Sequence, residues 1–146
     1  ASDHLCYYLR EERALFTGDV VLGGSTTVIP PEDGDLLDYL SSLRKLLGLD
    51  LERIYPAHGP VIEDAPRVVQ EFIDHRLERE QQVLAALREG LGTIAALVAH
   101  IYAAVAERLH KVAAQSVESH LRKLAREGRV REHVEKDAPS RWELLK

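Results

Sequence analysis

Several residue types are absent or rare in this sequence. It contains neither methionine nor asparagine, and Cys6 is its single cysteine. One cysteine excludes an internal disulfide framework and is typical of a reducing compartment. No stretch approaches the roughly 20 apolar residues that span a bilayer, and no charged leader followed by an apolar segment opens the chain. We therefore expect a cytoplasmic protein without a membrane partner.

The charge and the length of the chain limit the classes of protein to which it can belong. The 146 residues carry a net charge of -5 and are 45% hydrophobic, which is enough for one sizeable core and a small appended module. The acidic balance argues against a polyanion-binding surface over the whole molecule but allows a local basic patch. Because the chain opens on strand-like residues without a methionine, we expect it to continue upstream of Ala1 in a longer protein.

The first part of the chain has the pattern of a mixed α/β fold, in which short apolar runs alternate with helical leucine spacing. The predicted elements are strands at 4–9 and 14–19, a leucine-rich helix that ends before Gly48, a short apolar run at 54–55, and a long helix over 64–89. Asp64 can cap this last helix at its N-terminus. The two strands, joined by a charged turn, predict a β-hairpin.

Two glycines interrupt the long helix, and Thr93 can cap the next one. We place the domain boundary at this interruption, which gives predicted domains 1–91 and 92–146. Beyond it the pattern predicts helices at 93–105 and 112–127, followed by two short extended runs. Helices followed by a small hairpin favour a winged helix-turn-helix.

Two potential metal ligands follow apolar runs. Asp19 ends the stretch ALFTGD, and His58 lies in the loop of YPAHGPV. If the two strands are neighbours, both side chains project from one end of a sheet. Carboxylate oxygen and neutral imidazole nitrogen both coordinate zinc, so the pair favours a divalent transition metal. The alternatives are a turn aspartate that bonds its own backbone and an ordinary surface histidine.

These motifs resemble those of the metallo-β-lactamase superfamily of metal-dependent hydrolases. The family carries a GD after a strand and a GHG-like loop, and this chain has TGD ending at Asp19 and AHG around His58. A finer resemblance is to the β-lactamase-like protein 2 subgroup, through the stretches SDH, GSTTV, YPAHGPVI, HRLEREQQ and HLRKLAREGRV. This resemblance runs almost from end to end of the chain.

The resemblance implies an α/β fold, namely the second half of an αββα sandwich followed by a winged-helix-like domain. It implies that Asp19 is catalytic and bridges two divalent metal ions, zinc or alternatively manganese, and that His58 binds the second ion. The HxHxDH motif of the family would lie upstream of Ala1, so we expect this chain alone to be inactive. The missing half of the domain is an expected partner, and self-association through the exposed sheet face is the alternative.

For the intact protein, the resemblance implies an enzyme that cleaves phosphodiester bonds, an endoribonuclease acting on single-stranded RNA. The wider superfamily also hydrolyses thioesters and lactams on the same metals, so a thioesterase or another small-molecule esterase is an alternative. For the chain by itself, a further alternative is a non-catalytic module that binds nucleic acid or protein.

Further side chains are candidates for contacts around the metals or the substrate. The family resemblance implies a further histidine ligand immediately before Ala1, and we expect His4 to lie close to it, either behind the metal ligands or facing the substrate. The alternative is a partly buried strand histidine. His75, Arg76 and Arg79 fall within about one helical turn, and the two arginines share a face that can meet an anionic substrate. The alternative is a solvated helix face with ion pairs to neighbouring glutamates.

A local basic bias marks the C-terminal part of the chain. Residues 105–136 contain eight Lys or Arg and five Asp or Glu, a bias that can serve phosphate contacts. Arg122, Lys123 and Arg126 are the candidate nucleic-acid contacts. The alternative is a helical module that packs on the hydrolase and shapes its entrance.

Overall fold

The computed structural model describes residues 4–134, 136 and 138–145. Ser2 and Asp3 of the SDH motif lie outside these residues. The chain divides into two compact units, one formed by residues up to 27 together with 37–76, the other by 28–36 together with the residues from 77 onward. This division differs from the predicted boundary after residue 91, because the second half of a long helix contributes Val83, Leu84 and Leu87 to the core of the second unit.

The first unit contains a three-stranded sheet flanked in sequence by helices. Its elements are β1 (Tyr7–Leu9), β2 (Ala14–Gly18), all but the first residue of α1 (Leu36–Leu47), β3 (Arg53–Pro56) and the first half of α2 (Ala65–Arg88). The strand order is β1-β2-β3, with β1 antiparallel and β3 parallel to β2. The predicted hairpin is therefore confirmed, and the apolar run around Ile54 is its parallel neighbour.

The two faces of this sheet differ. Leu15 and Thr17 of β2 are buried, whereas Phe16 between them is 46% exposed. Phe16 stands in register with Tyr7 on one side and Tyr55 on the other, and the rings of Phe16 and Tyr55 stack with their centroids 5.1 Å apart. One face thus belongs to the core of the unit, while the other presents an aromatic row.

Two predicted N-caps are confirmed. The amide of Arg67 donates to Asp64 Oδ1 at 3.3 Å at the start of α2, and the amide of Ala96 donates to Thr93 Oγ1 at 3.2 Å at the start of the next helix. Each cap satisfies one of the first amides of its helix, which have no partner within the helix.

The second unit has the helix-then-hairpin order predicted for the C-terminal part. It comprises the second half of α2, α3 (Ile94–Ile101), a short 3-10 helix (Glu107–Leu109), α4 (His110–Arg126), β4 (Val130–His133) and β5 (Arg141–Leu144). α3 ends four residues earlier than predicted, because Tyr102, with φ -112° and ψ 26°, leaves the helical region. β4 and β5 pair antiparallel, and Trp142 of β5 joins Leu97 and Leu121 of the helices in one apolar core. Over the described ranges, no helix combines the length and apolar character needed to cross a membrane.

Candidate metal centre

The ends of two neighbouring strands bring the predicted ligands together. β2 and β3 are adjacent and parallel, so the loops that follow them leave the sheet at the same edge, where open α/β sheets commonly bind ligands. Asp19 directly follows β2, and His58 comes two residues after β3. Asp19 Oδ1 lies 3.6 Å from His58 Nε2, and the two side chains are 63% and 77% exposed. The prediction that both project from one end of the sheet is confirmed.

Backbone contacts hold the two loops against each other. The amide of Ala57 donates to Gly18 O at 2.9 Å, and the amide of Gly23 donates to His58 O at 2.9 Å. A Cβ on Gly59 would lie 1.8 Å from Gly23 O, and the φ of Gly59 is +86°. Only glycine meets both conditions, so the loop geometry around His58 depends on Gly59.

A register shift in β2 shapes the turn that presents Asp19. The shift lies between Phe16 and Gly18, and such bulges bend a strand and re-aim the side chains next to it. His4 Nε2 donates to Thr17 O at 2.9 Å, because a carbonyl oxygen can only accept. The His4 ring also lies against Gly18, where a Cβ would be 2.5 Å from Cε1. His4 thus packs against the turn, and its predicted place behind the metal ligands or facing the substrate stays a prediction.

The donor set of this edge fits part of a divalent-metal site. Asp19 supplies carboxylate oxygens and His58 an imidazole nitrogen, two donors that zinc accepts. Within the part of the chain that the structure describes, no three His, Cys, Asp or Glu side chains are grouped to hold a metal ion. Since zinc takes about four ligands, the pair fits a site that is completed by ligands from elsewhere.

Arg76 is buried, which does not favour its predicted role as a substrate contact. The residue is only 5% exposed, and its Nη2 donates to Thr27 O. Its guanidinium carbon lies 5.7 Å from the centroid of the Tyr39 ring. A guanidinium held by a backbone carbonyl and an aromatic ring holds these elements together rather than meeting a ligand from solvent.

The other two candidates on α2 have separate surroundings. Arg79 Nη1 donates to Gln82 Oε1 at 2.7 Å, and its guanidinium carbon lies 4.8 Å from the centroid of the Tyr102 ring. His75 is partly buried. Arg76 and Arg79 contact different aromatic rings, which does not favour a shared face for an anionic substrate. For Arg76, Arg79 and His75 a substrate contact stays a prediction.

Lys123 is also buried, which does not favour its predicted contact with nucleic acid; that contact stays a prediction. Its Nζ lies 2.6 Å from Glu80 Oε2, and the two side chains are 6% and 5% exposed. Glu127 Oε1 accepts a second hydrogen bond from Nζ at 2.8 Å. A buried charge needs such partners to offset its desolvation, so Lys123 has no free approach to a phosphate.

Arg122 and Arg126 contact a loop of their own unit. Arg122 Nη1 donates to Pro31 O at 3.3 Å, and Arg126 Nη1 forms an ion pair with Asp35. On the same helix, Ser119 Oγ donates to Ile29 O at 2.7 Å. Three side chains of α4 thus hold the 29–35 segment, which favours a packing role for these arginines over a nucleic-acid contact.

Replacing Arg126 by alanine is expected to leave the affinity for single-stranded RNA unchanged and to speed up amide hydrogen exchange in the 29–35 segment. The amides of Asp33 and Gly34 donate to Pro30 O at 3.2 and 2.8 Å, and their protection reports on this segment. Exchange is followed by mass spectrometry and affinity by fluorescence anisotropy, with exposed Arg131→Ala as the control. Weaker RNA binding with unchanged exchange would restore the predicted nucleic-acid contact.

Tyr39 is a residue near the Asp19 turn that the sequence pattern does not single out. It lies within the leucine pattern of α1, where an aromatic residue is typical of the core. Its hydroxyl, however, donates to Val20 O at 2.8 Å, immediately after Asp19. A buried tyrosine hydroxyl needs a hydrogen-bond partner, so its position in the leucine pattern of α1 could have indicated a polar contact. The pattern does not indicate which group is the partner.

Two family models match the chain. The model described as "Metallo-beta-lactamase superfamily" matches residues 1–58, a range that includes Asp19 and His58. The model described as "Beta-lactamase associated winged helix domain" matches residues 93–142. The second match covers α3, α4 and most of the terminal hairpin.

Individual proteins resemble the chain over part of their length. It is 48% identical over 88 residues to a beta-lactamase-like protein 2 homolog from Caenorhabditis elegans, covering 60% of this chain and 28% of that protein. An atrochrysone carboxyl ACP thioesterase from Aspergillus fumigatus is 48% identical over 88 residues, covering 60% and 27%. A solved metallo-beta-lactamase family protein from Thermus thermophilus superposes with a TM-score of 0.81 at 26% identity, covering 99% and 46%. The aligned residues span less than half of each of these proteins.

Proposed function

Because the chain belongs to the metallo-beta-lactamase superfamily, we propose that it forms part of a metal-dependent hydrolase and supplies two of its metal ligands. The observation that carries this proposal is the Asp19–His58 pair, with 3.6 Å between a carboxylate oxygen and an imidazole nitrogen. Their exposure leaves the donor atoms open to further ligands, which we assign to a segment upstream of Ala1.

Asp19 and His58 would hold divalent metal ions, zinc or alternatively manganese. Such ions polarise a substrate oxygen and lower the pKa of water in hydrolases. Asp19 has two carboxylate oxygens, so it can bridge two ions, while His58 Nε2 can serve one. The close packing of the Gly23 and Gly59 backbones keeps the two ligands side by side before any ion binds, which lowers the ordering cost of binding.

For the substrate we propose a phosphodiester, namely single-stranded RNA that is cleaved endonucleolytically. The support is the end-to-end resemblance of the motifs to the β-lactamase-like protein 2 subgroup, together with the identity to a relative of that name. A thioester is the second candidate, because the fungal relative named as an ACP thioesterase is equally identical to this chain over 88 residues. Fold and metals alone do not separate the two chemistries.

The full-length protein supplied with zinc, and separately with manganese, is expected to cleave a labelled single-stranded oligonucleotide internally. The 146-residue chain alone is expected to bind metal weakly and to leave the oligonucleotide intact, because two donors cannot satisfy two ions. Product lengths on a sequencing gel measure cleavage, and a thiol-reactive dye measures hydrolysis of an acyl-pantetheine thioester.

Separate outcomes distinguish the candidates. Thioester hydrolysis without RNA cleavage would show that the protein is a thioesterase and not a ribonuclease. If the full-length protein shows neither activity, the proposal of a hydrolase is contradicted. The sheet face with Tyr7 and Phe16 is expected to be covered by the upstream half of the domain. Because that half would also supply the further metal ligands, adding it to the chain should restore metal binding. Dimers of the chain alone in size-exclusion chromatography would instead point to self-association through this face.

A further inference from the structure

Two backbone carbonyls at the Asp19 turn accept hydrogen bonds from the side chains of Thr27 and Tyr39, which lie outside the turn. Thr27 Oγ1 lies 2.8 Å from Asp19 O and 3.3 Å from Val20 O. The hydroxyl of Tyr39 on α1 donates to Val20 O at 2.8 Å. The amide of Val20 itself donates to Thr17 O at 3.0 Å. The peptide planes on both sides of Val20 are therefore held in place.

Arg76 links the two hydroxyl-bearing residues from the α2 side. Its Nη2 donates to the backbone oxygen of Thr27, and its guanidinium carbon lies 5.7 Å from the centroid of the Tyr39 ring. At 5% exposure, this cation is shielded from solvent, where contacts of a guanidinium with an aromatic ring are strongest. Arg76, Tyr39 and Thr27, which we call the Arg76 cluster, thus form one connected group behind the turn.

The hydroxyl of Tyr39 remains a donor under ordinary conditions. Burial raises the pKa of Tyr39 above its usual value, while the nearby charge of Arg76 and side-chain hydrogen bonds with Thr27 and Arg76 oppose that rise. The phenol therefore stays protonated near neutral pH, as its hydrogen bond to Val20 O requires.

We propose that the Arg76 cluster is a positioning device that sets the direction of the Asp19 side chain toward the metal. This inference rests on the proposed function in that Asp19 binds metal. The physical reason is that a carboxylate on a free turn would have to be ordered at the moment of binding, whereas fixed carbonyls at Asp19 and Val20 order it in advance. Arg76, Tyr39 and Thr27 act through Asp19 and touch neither metal nor substrate.

Two variants remove single hydroxyls from the cluster, Tyr39→Phe and Thr27→Val. Both keep the side-chain volume, so each is expected to fold with a nearly unchanged unfolding midpoint. In the full-length protein, the zinc dissociation constant, measured by competition with a chromophoric chelator, is expected to rise about 10- to 100-fold, the range for outer partners of metal ligands. The matched control is Tyr8→Phe, because the Tyr8 hydroxyl also donates to a backbone carbonyl, Asp50 O at 2.7 Å, away from the Asp19 turn.

A second readout does not depend on metal. Without added zinc, hydrogen exchange at the amides of Val20 and Gly23, which donate to Thr17 O and His58 O, is expected to speed up in Tyr39→Phe but not in Tyr8→Phe. If the full-length protein binds no metal, the proposed function fails, and this exchange measurement still decides the positioning claim. Unchanged exchange at both amides, or parental zinc affinity in Tyr39→Phe and Thr27→Val, would overturn it.

The role of Arg76 is tested by a conservative and a non-conservative variant. Arg76→Met is expected to weaken zinc binding and loosen the turn as Tyr39→Phe does, and Arg76→Lys is expected to restore part of the zinc affinity by keeping the charge near Tyr39. Exposed Arg67→Met on the same helix is the control. The two variants could instead lose the same amount of zinc affinity, with unfolding midpoints lowered to the same extent and with unchanged exchange at the Val20 amide. That result would show that Arg76 has a purely structural role.

Discussion

Replacing Asp19 by alanine is expected to abolish turnover of the full-length protein and to remove most of its bound metal. Asp19 stands beside His58 at the strand edge, with 3.6 Å between Oδ1 and Nε2. If one carboxylate binds two ions, removing it weakens the binding of both. His58→Ala is expected to weaken chiefly one of the two sites. Metal content is measured by atomic emission after dialysis, alongside hydrolysis of the labelled oligonucleotide.

Matched controls separate ligand loss from general damage. Asp74→Ala removes an exposed carboxylate of α2 that accepts from Gln70, and His100→Ala removes a half-exposed histidine of α3 near Glu89. Both controls are expected to keep metal and turnover. Full metal content in Asp19→Ala or His58→Ala, after the protein has been stripped with a chelator and reloaded, would show that the ligands lie elsewhere.

Replacing Lys123 by methionine is expected to destabilise the protein by about 3–5 kcal/mol, the usual cost of removing one partner of a buried ion pair. Glu80 would remain in place at 4% exposure without its nearest cation, although Arg129 Nη1, 2.9 Å from Oε1, would still bind it. Urea unfolding followed by circular dichroism measures the free energy of unfolding.

A double variant and a surface control make this result specific. Glu80→Leu together with Lys123→Met is expected to recover part of the lost stability, because no buried carboxylate is then left without its nearest cation. Lys111→Met on the exposed side of the same helix is expected to change little. If Lys123→Met unfolds like Lys111→Met and instead weakens RNA binding, Lys123 is a nucleic-acid contact after all.

The local structure could be predicted from the sequence, because it depends on neighbouring residues, and so could the proximity of Asp19 and His58. Asp64 and Thr93 cap their helices because a side-chain oxygen three residues before an amide can reach it. The hairpin at the start follows from apolar runs joined by a charged turn. Asp19 and His58 stood out because each lies in a loop that follows an apolar run, and their proximity required only that the two strands be parallel neighbours.

Tertiary structure alone decided which charged side chains are buried and what they bind. Lys123 looked like part of a basic helix face, yet it pairs with Glu80, 43 residues earlier, while Arg126 pairs with Asp35, 91 residues earlier. Arg76 is similarly held by Thr27 and Tyr39, which no spacing on α2 reveals. Composition and periodicity describe a helix face only relative to its own axis, whereas the free energy of a charge depends on the groups that packing brings around it. The surroundings of these cations were therefore determined by long-range contacts, and the proximity of Asp19 and His58 by the two adjacent strands that they follow.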